Sequence, residues 1–256
     1  MHIRYGLFLF ALAAVLANAG PAKGLVWQDE FNGPANSPPD ASKWDYDFGA
    51  GGWGNQELET YTNLAENVYQ DGQGHLVIRA IKSPSGTYTS GRIKTMPDLD
   101  FEYGRIEARI KISHGQGLWP AFWMLGKGGG WPGSGEIDIM QNIGKEPDIV
   151  HGTVHGPGYS GAHGISAKYE LKSGRFANAF HIFRADWEPN AIRFYVDGHM
   201  YSEITPANLP PGTKWVFDHP FEIILNLAVG GDWPGNPDAT TTFPQTMLVD
   251  WVRVWR

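Results

Sequence analysis

Two acidic residues and an amide follow one another closely near the middle of the chain. The segment GEIDIMQ contains Glu136, Asp138 and Gln141. Two carboxyl groups about 5–5.5 Å apart are the arrangement of a retaining glycosidase, in which one is the nucleophile and the other the acid/base. A third carboxyl group between them can separate their pKa values. The spacing fits chemistry on a glycosidic bond, with an amide where a third acid could have been. It also fits an ordinary surface strand, because such strands often carry pairs of acidic residues.

A β-strand would place the first two of these side chains on one face. Side chains alternate along a strand, so Glu136 and Asp138 share a face, whereas Gln141 has the opposite parity. One extra residue, accommodated as a β-bulge, would restore the parity, and bulges are frequent beside active sites. Ile137 and Ile139 would then pack into the core. We predict a bulged strand whose three polar side chains project into a groove.

The surrounding sequence predicts many short strands and almost no helix. The 33 glycines and 18 prolines interrupt the chain every few residues, as turns between short strands require. An Asp-Gly step at 197–198 separates two strand-like runs, which predicts a hairpin. We therefore predict one all-β domain, an antiparallel sandwich or barrel. The alternating or β-branched runs are 75–81, 104–113, 121–125, 136–140, 148–155, 179–188, 192–197, 221–229 and 247–255.

Two of these runs differ in the burial that they predict. Residues 104–113 alternate between charged and apolar side chains, which is typical of a half-buried antiparallel strand. Residues 221–229 are apolar almost throughout, so we expect a central strand that is covered on both faces. Its single amide, Asn226, would then need hydrogen-bond partners. Those partners could be structural or could belong to a ligand.

Composition excludes several classes of protein. The net charge is −7 and the 20 Lys and Arg residues are scattered, so nucleic acid and anionic membrane are not expected partners. Cysteine is absent, which excludes a thiol nucleophile and thiolate metal sites. The chain has 11 Trp, 10 Tyr and 13 Phe. Tryptophan covers apolar area while keeping one N–H donor, which suits either a sugar-binding cleft or a Trp-rich core.

The first 19 residues predict a signal peptide. A short basic start, residues 1–4, precedes an apolar run, 5–16, and the small-residue segment Ala17-Asn18-Ala19, which is typical of a cleavage site. The apolar run is shorter than the ~20 residues that a membrane span needs. We therefore expect a secreted or periplasmic protein, a monomer, whose single catalytic domain covers residues 20–256.

From about Leu25 to the C terminus, the chain resembles the bacterial laminarinase branch of glycoside hydrolase family 16. This resemblance implies a β-jelly-roll sandwich of the concanavalin A type, with a concave sheet that binds β-glucan. It also implies a retaining endo-β-1,3-glucanase that acts on laminarin-type chains, with mixed-linkage glucan as a further substrate class. The segments that carry it are WQDEFNG, GNQELETYT, YGRIEARIKI, GLWPAFWML, GEIDIMQ, HGTVHGPGY and LNLAVGGDWPGNPDATTTFPQTMLVDWVRVW.

The active-site pattern of the family, E-x-D-x-x-E, is matched in all but its last residue. By this resemblance Glu136 is the nucleophile, Asp138 assists it, and Gln141 occupies the position of the general acid/base. An amide still forms hydrogen bonds but cannot transfer a proton. We therefore expect a folded chain that binds substrate and hardly turns it over, by an introduced replacement or by natural change. The alternative is a non-catalytic β-glucan-binding protein.

The resemblance implies further ligand positions on the chain. Trp119 and Trp123 would line the cleft around the cleavage point, unless they pack between the sheets. A histidine, His155, would lie close to the acid/base. The complete set of implied substrate-binding residues is Asn55, Trp119, Trp123, His155, Asn226 and Trp233.

No cofactor is expected for catalysis, but the resemblance implies one structural calcium ion on the convex face. Its ligands would come from Glu30, Gly72 and Asp250, partly through backbone oxygens. Ligation by oxygen alone suits calcium.

Overall fold

A computed structural model describes residues 24–256, so the predicted signal peptide and the start of the predicted domain, residues 20–23, lie outside the described residues. The described chain forms two β-sheets. Apolar side chains from both sheets pack into one core cluster, which includes Ile106 and Phe183 from one sheet and Phe122 and Leu225 from the other. Within residues 24–256, no helix has the length and apolar character needed to cross a membrane.

One sheet, which contains the predicted catalytic strand, has seven strands. They are β2 (Trp44–Tyr46), β7 (Arg92–Thr95), β9 (Leu118–Gly126), β10 (Glu136–Gln141), β11 (Ile149–His155), β12 (Ile165–Glu170) and β16 (Phe221–Val229). Their order is β12-β11-β10-β9-β16-β7-β2, so β9 lies in the middle of the sheet. All pairs in this sheet are antiparallel.

The second sheet has ten strands, and β3 with β6 is its parallel pair. Short 3₁₀ turns cover Gly52–Gly54, Gly161–His163, Phe176–Asn178 and Pro206–Asn208. The strands are β1 (Leu25–Asp29), β3 (Glu59–Tyr61), β4 (Val68–Gln70), β5 (Leu76–Lys82), β6 (Tyr88–Ser90), β8 (Gly104–Lys111), β13 (His181–Glu188), β14 (Ala191–Val196), β15 (His199–Ile204) and β17 (Gln245–Trp255).

This architecture confirms the predicted all-β jelly-roll sandwich. Each of the nine predicted runs overlaps a strand, and the run 221–229 coincides with β16. The predicted hairpin joins β14 to β15 through Asp197 and Gly198, which both have positive φ, 49° and 81°. Positive φ at both central residues is the conformation that favours Asp-Gly in a two-residue turn.

Burial follows the predicted patterns. Along β8, buried residues alternate with partly exposed ones. In β16, every residue except Glu222 is buried, because the strand pairs with β9 and β7 and lies between the core and the groove. Asn226 is 7 % exposed, as predicted. The sheet thus holds this amide in a fixed place beside the predicted catalytic strand.

Candidate active site

A β-bulge shapes the predicted catalytic strand β10. Asp138 is opposite Trp123 of β9, and Gln141 is opposite Ala121. Two residues on β9 are therefore matched by three on β10, and the register shifts after Asp138. Such an extra residue turns the following side chains to the other face. The predicted bulge is confirmed, and it brings Gln141 to the face that Asp138 and Trp123 share.

The isoleucines between these polar residues anchor the strand. Ile137 and Ile139 are buried in the core, at 0 % and 1 % exposure. Glu136 and Gln141 are partly exposed, whereas Asp138 is fully buried. The strand therefore offers a reachable carboxyl group at one end, a reachable amide at the other, and a carboxyl group below the surface between them.

Glycines bound this strand for steric reasons. Gly135 has φ 72°, a left-handed conformation that glycine adopts without steric cost. A Cβ on Gly144 would lie 1.6 Å from the carbonyl oxygen of Gly115, so no larger residue fits there. The glycines at the two ends of GEIDIMQNIG thus allow the chain to enter and leave β10 tightly.

The two carboxyl groups share one hydrogen-bonding environment with a histidine and a tryptophan. His155 Nε2 lies 3.0 Å from Asp138 Oδ2 and 3.8 Å from Glu136 Oε1. The indole N–H of Trp131 donates to Glu136 Oε2 at 2.7 Å. Trp131 itself is 53 % exposed, so this donor reaches the carboxyl group from the solvent side of the groove.

Burial and neighbouring carboxylate charges shift the pKa values of Glu136 and His155. Burial, together with the charge of Asp138, raises the pKa of Glu136 to about 8, although His155 and Trp131 oppose the shift. Burial lowers the pKa of His155, but its hydrogen bond to Asp138 and the two carboxylate charges outweigh this and raise it. Glu136 therefore favours its protonated form near neutral pH, beside a histidine that favours its charged form.

The raised pKa of Glu136 predicts a dependence of stability on pH. A carboxyl group with a raised folded pKa stabilises the fold below its ordinary pKa, and that contribution is lost as the pH rises through the folded value. The free energy of unfolding should therefore fall between pH 5 and pH 8, and Glu136→Gln should flatten this fall. Urea unfolding at several pH values measures both slopes. Glu107→Gln, on the other sheet, should keep the parental slope; a parental slope in Glu136→Gln would contradict the prediction.

Glu136, Asp138 and His155 are also the group of described residues that could hold a metal ion, with ligand atoms within 4.8 Å of one another. Two carboxylate oxygens and one imidazole nitrogen would suit a divalent ion.

Gln141, at the position of the predicted acid/base, lies beside a cluster of aromatic side chains. Gln141 is opposite His151 of β11. The His151 ring packs edge-on against Trp233 at 5.0 Å between centroids, and Trp233 in turn packs against Trp119 at 5.3 Å. Trp119 and Trp233, both predicted to bind substrate, therefore belong to one cluster with His151.

Two histidines of β11 face the predicted catalytic strand. The register places His155, which the resemblance puts close to the acid/base, opposite Glu136, and it places His151 opposite Gln141. The bulge of β10 brings Gln141, rather than Met140, into register with His151. His151 was not among the residues predicted from the sequence.

A second cluster forms on the other side of the same groove. Trp123 Nε1 donates to Asn226 Oδ1 at 2.8 Å, and Asn226 Nδ2 donates to the hydroxyl of Tyr61 at 3.0 Å. The guanidinium of Arg92 stacks on Trp53 and on Trp123, at 4.6 and 4.8 Å from their ring centroids. The structure thus brings predicted residues Trp123 and Asn226 into direct contact and adds partners.

Asn55 is linked to this second cluster by hydrogen bonds through the carboxylate of Glu57. Its Nδ2 donates to Glu57 Oε1 at 2.9 Å, and the Tyr61 hydroxyl donates to Glu57 Oε2 at 3.1 Å. Asn55, Trp123 and Asn226 therefore lie in one hydrogen-bond network. The segment GNQELETYT contained the signal for these partners, because Glu57, Glu59 and Tyr61 follow the two-residue period of a strand.

The residues predicted to bind calcium are engaged in other contacts. Glu30 accepts two hydrogen bonds from Arg253, at 2.8 and 2.9 Å, and Asp250 is ion-paired with Arg109. Gly72 packs against Ala35. Both carboxylates already face a cation, so this arrangement does not fit a calcium ion unless the arginines move. Calcium stays a prediction.

Comparisons with known proteins identify the class to which this fold and site belong. Residues 55–253 match the family model described as Glycosyl hydrolases family 16. The chain belongs to glycosyl hydrolase family 16.

Individual relatives point to one branch of the family. A β-glucanase of Rhodothermus marinus is 39 % identical over 94 % of this chain and 87 % of its own length. Glucan endo-1,3-beta-glucosidase A1 of Niallia circulans is 40 % identical over 91 % of this chain, which spans 38 % of that longer protein. The crystal structure of an endo-β-1,3-glucanase from Pyrococcus furiosus is 50 % identical, covers 91 % of this chain and 94 % of its own, and superposes with a TM-score of 0.84.

Proposed function

We propose that this chain has the active site of a retaining endo-β-1,3-glucanase, with laminarin-type glucan as substrate, and that Gln141 strongly reduces its turnover. The observation that carries the proposal is the bulged strand β10. It presents Glu136, Asp138 and Gln141 to one groove, between two aromatic clusters. Family membership and relatives that act on β-1,3-glucan support the substrate class.

In this proposal, each polar residue of the strand has a separate role. Glu136 is reachable and, in its ionised form, attacks the anomeric carbon. Asp138 is fully buried and stays close to Glu136 through His155, so it acts on the nucleophile rather than on the sugar. The departing glycosidic oxygen needs a proton, which an amide at 141 cannot supply. No cofactor takes part in these steps.

The aromatic residues supply the sugar-binding surface. A sugar ring has apolar C–H faces and a polar rim, which match the faces and the N–H donors of tryptophan. Trp123, Asn226 and Asn55 would bind the sugars on one side of the cleavage point. Trp119, Trp233 and His155 complete the set that we propose to line the groove. Mixed-linkage β-glucan is a second substrate class for the same groove.

Binding measured by calorimetry tests this proposal without requiring turnover. A laminari-oligosaccharide of six residues should bind the unchanged chain, and Trp123→Ala should weaken binding by about tenfold or more, because a stacking aromatic is lost. Glu107→Gln, on the other sheet, is the matched control and should bind like the parent. Equal affinity in Trp123→Ala and the parent would overturn the location of the groove.

A non-catalytic β-glucan-binding protein is the second candidate, and Gln141 is the observation that favours it. The two candidates differ in what a carboxyl group at position 141 does: it restores hydrolysis in an impaired enzyme and changes nothing in a pure binding protein.

We further propose that the chain is secreted or periplasmic and acts as a monomer, which suits a polymeric substrate outside the cytoplasm. Calcium would bind at Glu30, Gly72 and Asp250 only if Arg253 and Arg109 give up their carboxylate partners. A melting temperature that rises with added calcium and falls with a chelator would support that ion site.

A further inference from the structure

A second pair of carboxyl groups lies behind the groove, apart from the catalytic pair. Glu59 of β3 is 1 % exposed, and its Oε2 accepts a hydrogen bond from the backbone N–H of Val229 at 2.6 Å. No N–H or O–H donor in the described part of the chain reaches its Oε1. The carboxyl group lies within hydrogen-bonding range of Glu57.

These contacts define the protonation of Glu59. A buried carboxylate oxygen without a donor is costly, because it has lost its hydrogen bonds to water and gained none from the protein. A proton on Oε1 removes this cost and gives Glu59 a donor to direct at Glu57. Burial, with the charge of Glu57, raises the pKa of Glu59 to about 9. Glu59 is therefore neutral near pH 7 and donates to its neighbour.

Glu57 has the complementary surroundings of a charged acceptor. Asn55 Nδ2 donates to one of its oxygens and the Tyr61 hydroxyl to the other, while Glu59 supplies a third donor. Hydrogen bonds to an ionised group are about twice as strong as those between neutral groups. Glu57 therefore acts as the acceptor on which these donors converge.

The acceptor oxygens of Glu57 and the donor N–H of Trp123 fix the direction of the hydrogen bonds between them. Because Tyr61 donates to Glu57, its oxygen is free to accept from Asn226 Nδ2. Asn226 then presents Oδ1 to Trp123, whose indole N–H can only donate. One orientation of the Asn226 amide satisfies every group. The series of hydrogen bonds then extends from Glu57 through Tyr61 and Asn226 to Trp123.

We propose that Glu57 and Glu59 are positioning residues that orient Asn55, Asn226 and Trp123 toward the glucan. The assignment of a sugar ligand rests on the proposed function, whereas the direction of the network does not. The other charged groups beside it are Arg92, which stacks on Trp123, and Asp47, which accepts from Arg92 Nε at 2.8 Å.

Two isosteric replacements distinguish this arrangement from an ordinary buried acid pair. In Glu59→Gln, the amide can accept from Val229 and donate to Glu57, as the protonated acid does, so the network should persist. In Glu57→Gln, one acceptor oxygen becomes an N–H₂ group that faces a donor. We expect laminari-oligosaccharide affinity within about twofold of the parent for Glu59→Gln, and about tenfold weaker for Glu57→Gln, through the loss of a charged hydrogen bond.

The indole N–H resonance of Trp123 in ¹H–¹⁵N spectra gives a readout that needs no ligand, and Trp123→Phe assigns it. It should move in Glu57→Gln and stay in Glu59→Gln and in Glu107→Gln, in which the replaced carboxylate accepts from Trp255 on the other sheet. Equal effects of the two glutamine variants would overturn the proposal, as would an unmoved resonance in Glu57→Gln. If the parent binds no glucan, the proposed function fails, and the resonance still decides the network.

Discussion

Replacing Gln141 by glutamate should raise the rate of laminarin hydrolysis by about 10²–10⁴-fold, the range that a positioned acid/base contributes. The bulge already places this side chain on the face shared by Glu136 and Asp138. Position 141 is partly exposed, so a carboxyl group there remains accessible to substrate and water. The change from amide to acid replaces one atom and leaves the groove otherwise intact.

Release of reducing ends from laminarin, followed for both proteins at several pH values, measures this gain. Gln141→Ala is the control, because it removes the amide without supplying a proton donor, and it should stay at the parental rate. A gain confined to Gln141→Glu identifies the acid/base. If glutamate brings no gain although glucan still binds, the chain is a binding protein or position 141 has another role.

Incubating the unchanged chain with a dinitrophenyl β-laminaribioside should produce a burst of dinitrophenolate and a stable glycosyl ester on Glu136. This leaving group departs without protonation, so the missing acid at 141 does not slow the first step. The second step needs a base to activate water, and the amide cannot act as one. The covalent intermediate should therefore accumulate to about one equivalent per chain.

Mass spectrometry of the intact protein and of its peptides locates the ester. Glu136→Gln should show neither burst nor adduct, while Glu107→Gln should behave like the parent. Azide attacks without a base, so adding it should release a β-glycosyl azide and restore turnover. An adduct on any residue other than Glu136 would refute the assignment of the nucleophile.

The fold was predictable from sequence because its long strands carry strong patterns. The strands β8, β16 and β17 are long and either alternate or are apolar throughout, and the runs predicted for them were confirmed. The short strands β2, β3 and β7 have three or four residues. Their pairing depends on partners that are distant in sequence, and a local pattern does not show it.

The candidate active site was also predictable only where local sequence patterns determine it. The shared face of Glu136, Asp138 and Gln141 followed from parity and one bulge, which are local properties of β10. The place of His151 depended on the register between two strands across that bulge. The network from Glu57 to Trp123 joins residues far apart in sequence, so only folding reveals it.

The bulge in β10 also decides how far apart the two ends of the catalytic strand lie. Between Glu136 and Gln141 the strand advances five residues, but the facing stretch of β9, from Leu125 to Ala121, advances four. Four steps at about 3.4 Å cover about 14 Å, the span that a regular strand one residue shorter would cover. Deleting Ile139 would therefore leave all three polar side chains on the same face and at the same spacing. The bulge thus adds a residue to β10 without adding to the distance between Glu136 and Gln141.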